Sequence, residues 1–256
     1  MKRIILTFVL SLFCLLSFGQ NSGTLKFLGI PIDGTESSFA EKLKNKGFVY
    51  SSYYDGYRGQ FNGQTVTVYI HTNHNLVDRV YVSFPKTTER SIKNDFNTLL
   101  RQFKHNNKYT DLSFNEEIPE TEDISYEMSI NDKHYQASFC YFDPNRDPAS
   151  LIDPLCDELV KSFPSELVEQ MRSTMKDSLN SSDEEQQAAI EDALPALYEK
   201  INSDPEKMVL YIATILDAMN SLADGEVWFT IHESGGQYNL GLYYDNCHNR
   251  PNGEDL

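Results

Sequence analysis

Catalytic signatures are what this 256-residue chain lacks. It has no Gly-x-Ser-x-Gly elbow, no His-Glu-x-x-His pair and no Walker-type glycine loop. Serine-hydrolase, zinc-protease and P-loop chemistries therefore find no footing in it. Basic side chains are scarce: 22 Lys and Arg stand against 38 Asp and Glu, a formal net charge of −16. Such a surface repels phosphate backbones and anionic headgroups, which argues against nucleic-acid binding and against docking on acidic lipid. The simplest role of the charge is to keep the protein in solution. Tryptophan occurs once, at Trp228, and cysteine four times. No stretch after residue 18 is apolar enough to span a bilayer, so no membrane insertion of the mature chain is expected.

The one long apolar run lies at the start, MKRIILTFVLSLFCLLSFGQ. Lys2 and Arg3 form a positive head, Ile4 to Phe18 carries no charge, and Ser17 and Gly19 are the small residues of a cleavage site. This reads as a secretory signal peptide over residues 1–19, removed after Gly19. The exported chain then keeps Cys140, Cys156 and Cys247. An odd count leaves at least one free thiol and permits at most one internal disulfide, whose pairing the spacing does not choose.

The remainder predicts an α+β fold: a mainly antiparallel sheet of hairpins, packed helices, and a helical insertion before the final hairpin. Residues 20–145 form the sheet region, 146–224 the insertion, and 225–256 the hairpin and tail that complete the sheet. Leu25 to Ile32 reads as a short strand, and Glu36 to Lys46 as a helix with Phe39 and Leu43 inward. Val66, Val68 and Ile70, then Val80, Val82 and Phe84, alternate with polar or aromatic neighbours as half-buried strands do. Ile92, Phe96, Leu99, Leu100 and Phe103 share one stripe of a helix from Thr88 to Lys104. Tyr126, Met128 and Ile130 alternate, and so do Tyr135, Ala137, Phe139 and Tyr141, predicting a hairpin. Ser182-Asp183-Glu184-Glu185 reads as a capping box, Pro195 as a kink, and Ser203-Asp204-Pro205-Glu206 as the start of the strongest helix. The last hairpin joins Val227, Phe229 and Ile231 to Tyr238, Leu240, Leu242 and Tyr244 through Ser234-Gly235-Gly236-Gln237.

Four segments carry a resemblance. They are Gly29–Thr35 (GIPIDGT), Arg58–Gly63 (Arg-Gly-x-Phe-Asn-Gly), Glu122–Asp132 (EDISYEMSIND) and Tyr243–Leu256 (YYDNCHNRPNGEDL). Together they resemble a family of exported proteins of uncharacterised function from gut-dwelling Gram-negative bacteria. The resemblance implies a periplasmic or surface location and an α+β fold, and it brings no catalytic residues.

Two sites invite weighing. Asp143, Asn145 and Asp147 match the opening Asp-x-Asn-x-Asp of a calcium loop, the one cofactor the sequence suggests. Pro148 then stands at the glycine position and Pro154 at that of the bidentate glutamate, so a turn with a helix cap is the plainer reading. His71 and His74 lack a third ligand and read as solvated turn histidines. Aromatic residues offer the better binding signal. Tyr53, Tyr54 and Tyr57 crowd one extended segment beside Arg58, while Trp228 and Tyr243 lie on the strand faces opposite the apolar set. That second face is either an open recognition surface or the floor beneath the helical insertion, whose apolar stripes need a partner. The leading expectation is a non-enzymatic extracytoplasmic binding module for a protein or a glycan. The alternatives are a hydrolase with an unrecognised acidic site and a structural envelope protein.

Overall fold

A computed structural model describes residues 23–147, 149–179 and 205–251. The expected leader, the capping box at 182–185 and Pro195 lie outside the described residues. The chain divides into two compact units. One joins Thr24–Phe142 to Ala223–Leu256, and the other is Asp143–Leu222.

The larger unit holds a seven-stranded, wholly antiparallel sheet. Its strands are β3 (Val49–Ser51), β4 (Gly56–Phe61), β5 (Gln64–Asn73), β6 (Leu76–Ser83), β7 (Gln136–Tyr141), β8 (Gly225–Ser234) and β9 (Gln237–Asn246), in the spatial order β3-β4-β5-β6-β9-β8-β7. Two meanders thus meet at β6 and β9. The final hairpin is as the alternation predicts: ten residue pairs from Gly225↔Asn246 to Ser234↔Gln237, closed by Gly235 and Gly236 at φ 64° and 74°. Positive φ at both loop residues is what a two-residue turn matched to strand twist requires.

One face of the sheet carries Val66, Val68, Val80, Val82, Val227, Phe229, Leu240, Leu242 and Tyr244, all buried. Three helices contribute to this same core. They are α1 (Glu36–Asn45) through Phe39 and Leu43, α2 (Glu89–Lys104) through its Ile92–Phe103 stripe, and α3 (Ile124–Ile130) through Ile124. Thr88 caps α2 by accepting from the Ser91 amide. Phe96 meets Phe229 edge-on at 5.0 Å, and Phe103 stacks on Phe139 at 5.2 Å. Each such fully buried side chain stabilises the fold by about 1.5–3 kcal/mol.

Two sequence expectations are corrected. The alternation of Tyr126, Met128 and Ile130 is a helix, α3, so the hairpin with residues 135–141 does not form. The Asp123 carboxylate accepts from the Tyr126 amide at 2.8 Å and closes the first turn. Ile124 and Met128, four residues apart, then share the inward side, and Tyr126 and Ile130 are left exposed. The strand expected over Leu25–Ile32 is a tiny hairpin, β1 (Lys26–Phe27) and β2 (Ile30–Pro31), because Leu28 and Gly29 both turn to positive φ.

The smaller unit contains α4 (Ala149–Leu159), α5 (Ser165–Leu179) and α6 (Pro205–Ser221). Ile152, Cys156, Leu159, Phe163, Val168, Met175, Ile215 and Ala218 form its own core. Arg172 ties α4 to α5 through Asp153 at 2.6 Å and Asp157 at 3.0 Å. Among the described residues no helix is long and apolar enough to cross a membrane.

Candidate functional site

The face of the large sheet opposite the core is organised by cross-strand register. Ser138 pairs with Trp228, Trp228 with Tyr243, Tyr243 with Tyr81, and Tyr81 with Tyr69. In an antiparallel sheet such partners stand side by side on one face. Here four of them are aromatic. Trp228 stacks on Tyr243 at 3.8 Å and 6°, Tyr243 on Tyr81 at 4.6 Å and 14°, and Tyr81 on Tyr69 at 5.4 Å and 17°. The result is a ladder of near-parallel rings across β8, β9, β6 and β5, spanning three strand spacings, about 14 Å.

The ladder leads towards the tip of the β3–β4 hairpin. Tyr54 and Asp55 are electrostatic neighbours of Tyr69. Tyr54 lies beneath the Arg58 guanidinium at 4.6 Å, and Tyr53 meets Tyr54 edge-on at 4.8 Å. Tyr53 is 86% exposed. Six rings therefore form one stripe from Trp228 to Tyr53. Two glycines leave room for it. A Cβ on Gly241 would lie 2.8 Å from His232 Nε2 and 3.1 Å from Tyr81, and one on Gly56 would lie 3.0 Å from the Tyr69 ring. Burial, and then the neighbouring Tyr81 hydroxyl, push the Tyr243 phenol up to about 12. Burial raises Tyr69 as well.

A charged row flanks the stripe on one side: His71, Arg79, Asp245 and Glu226 in register. Asp245 is its hub, with 1% of its side chain exposed. It accepts from Arg79 Nε at 2.5 Å and Nη2 at 2.9 Å, from Trp228 Nε1 at 2.9 Å, and from Arg250 Nη2 at 2.8 Å. Arg250 also donates to Glu226 at 2.7 Å. The bonds to Asp245 hold the Arg79 guanidinium above its ordinary pKa. Arg79 lies 5.8 Å from the Trp228 ring and 5.7 Å from that of Tyr243. The adjacent pair Asp245 and Glu226 is thus engaged by two guanidiniums and an indole. Asp245 is saturated by these donors, while Glu226 accepts from Arg250 through Oε2 and is 32% exposed. On the other flank the row is Gln136, Thr230, Gly241, Ser83, Thr67 and Arg58.

The structure therefore joins Tyr53, Tyr54, Trp228 and Tyr243 on one surface and separates Tyr57 from them. Tyr57 pairs with Val68 and packs against the core face, with Lys44 5.9 Å from its ring. Tyr53 and Tyr54 lie in the turn before β4, whereas Tyr57 lies within β4 and points to the face opposite its neighbours Gly56 and Arg58. Tyr69 and Tyr81, which join the two clusters, are not singled out by sequence reasoning. The alternation already turned Tyr69 away from the core, but nothing local showed that β6 lies beside β9.

Asp143, Asn145 and Asp147 serve a turn and a helix start. Asp143 Oδ1 accepts from the Asn145 amide at 2.8 Å, and Asp147 Oδ1 from the Ala149 amide at 3.0 Å. His71 Nδ1 lies 2.6 Å from the buried Asp78 carboxylate, and His74 sits in the β5–β6 turn at φ 48°. Among the described residues no group of three or more His, Cys, Asp or Glu is arranged to hold a metal ion. No disulfide joins Cys140, Cys156 and Cys247; the first two are buried and Cys247 is half-buried. The chain matches no family model, no curated protein and no solved structure.

Proposed function

We propose that this chain is an exported, non-enzymatic binding module that recognises a protein or glycan partner with the aromatic stripe on its sheet. The observation that carries the reading is the register that places Trp228, Tyr243, Tyr81 and Tyr69 in one stack leading to Tyr54 and Tyr53. The three α-helices of this unit contribute to the core on the other face. Rings that are already stacked lose little freedom when a ligand arrives, which lowers the entropic cost of association. Tyr, Trp and Arg side by side are also the residue types that dominate recognition energetics. Export rests on the leader-like start of the sequence.

Trp228 is the only tryptophan in the chain, so its fluorescence reads the stripe directly. The chain purified from expressing cells should start at Gln20, and its emission should shift when it meets envelope polysaccharide or envelope protein fractions. An unprocessed N-terminus would refute the export step. Emission unchanged by every fraction, with Trp228 quenched equally by acrylamide throughout, would refute the binding reading.

A further inference from the structure

We infer that the stripe takes an elongated, uncharged polysaccharide; this rests on the binding-module reading above. Three observations lead there, and the first is charge. The chain carries −16 overall, which disfavours an acidic ligand. Yet the carboxylate nearest the rings is already committed, and the others each hold a partner. Asp245 receives four hydrogen bonds and is 1% exposed, and Glu226 is bridged by Arg250. The Asp55 carboxylate accepts from the Tyr50 hydroxyl at 2.5 Å, and Glu233 from the Gly236 amide at 2.7 Å. In the Arg79–Asp245 pair the cation is 41% exposed and the anion is beneath it. The His71 and His248 rings likewise lie outside the buried carboxylates of Asp78 and Asp224. A basic partner lying over the Trp228 and Tyr243 rings would therefore meet the Arg79 guanidinium before the buried Asp245 carboxylate. Both signs of ligand are disfavoured, which leaves a neutral one.

The second observation is the row of Gln136, Thr230, Gly241, Ser83 and Thr67 alongside the rings, with Arg58 at its end. Thr67 is buried and Thr230 donates to the Tyr135 carbonyl, so the exposed Gln136 amide and the half-buried Ser83 hydroxyl are the groups that match a ligand built of hydroxyls. The third is shape. The stripe is long, one residue wide and crosses four strands in register, so it fits a chain lying along it. The ladder rings turn their faces to one another and present their edges along the stripe, with the Trp228 N–H held by Asp245 and the Tyr243 hydroxyl beside His232. Tyr53 keeps most of its ring open for contact with a sugar face.

The test is native affinity electrophoresis of the chain purified from expressing cells. One set of gels contains hydroxyethylcellulose, laminarin, xyloglucan, galactomannan, dextran or soluble starch. A second set contains polygalacturonate or chondroitin sulfate. In parallel, a photo-crosslinking residue placed at position 53 reports protein adducts on intact cells. At least one neutral polymer should retard the chain. Tyr53→Ala, which alters an exposed side chain, should weaken that retardation about tenfold. Tyr57→Ala, on the core face, should leave it within about twofold. Retardation by acidic polymers alone, or a protein adduct without neutral-polymer retardation, overturns this inference and leaves the binding-module reading standing. No retardation and no adduct overturns both.

Discussion

Asp245→Asn is the most informative single change in this chain. The carboxylate accepts four hydrogen bonds from Arg79, Trp228 and Arg250 and is 1% exposed. An amide of the same shape keeps one oxygen, and its NH2 group then faces N–H donors. Removing one partner of a buried ion pair costs about 3–5 kcal/mol, because the other charge is left uncompensated. Arg79 and Arg250 are 41% and 35% exposed, so water restores part of their solvation. The expected cost is therefore lower, about 2–3 kcal/mol. That is roughly a 30- to 150-fold shift in the folding equilibrium and, for a chain of this size, a melting temperature lower by roughly 4–12 °C. Urea unfolding followed by Trp228 fluorescence measures it, with Asp55→Asn on the exposed hairpin as a control expected within about 0.5 kcal/mol. The native emission should also move, since the indole N–H loses its acceptor. A value for Asp245→Asn no larger than the control's would refute the hub, and the rigid positioning of Trp228 would fall with it.

Gly241→Val places a side chain where a Cβ already comes within 2.8 Å of His232 and 3.1 Å of Tyr81. It should cost about 1–3 kcal/mol and reduce the near-ultraviolet dichroism of the stacked rings; an unchanged spectrum would sink the ladder geometry. Burial first, with neighbouring tyrosines behind it, raises both the Tyr243 and Tyr109 phenols to about 12 from an ordinary value of 10.0. Because these acids stay neutral longer when folded, the stability they contribute is complete below pH 10.0 and is lost between there and about pH 12. Urea midpoints that stay level across that window would contradict it. Denatured in the absence of reductant, the exported chain should react with Ellman's reagent at Cys140, Cys156 and Cys247 alike. The native chain should react slowly at Cys140 and Cys156, which are buried; a count of one thiol after denaturation would mean a disulfide instead.

What the sequence revealed and what it hid follow from one physical distinction. Burial on one face of a strand leaves a period-two record in that strand, so the Val66–Phe84 meander and the Val227–Tyr244 hairpin could be read locally. Burial of one helix face does the same at 3.6, as in Ile92–Phe103. Over five residues the two periods overlap. Tyr126, Met128 and Ile130 alternate like a strand, while Ile124 and Met128 are spaced like a helix, and the Asp123 cap decides the matter. Neighbours across strands leave no local record when the pairing joins distant segments. Tyr81 and Tyr243 touch only because β6 pairs with β9, more than 150 residues away in the chain. The aromatic stripe is a property of that pairing. Its two ends drew notice as clusters, and its middle, Tyr69 and Tyr81, sat unremarked among ordinary strand residues. The same holds for Asp245, an acid among 38 until Arg79 and Arg250 converge on it. A composite surface of this kind asks of each strand only that it keep its register. A one-residue slip of β6 against β9 would turn Tyr81 into the core and Val82 out to water. Selection for the apolar face therefore also maintains the alignment of the rings on the other face.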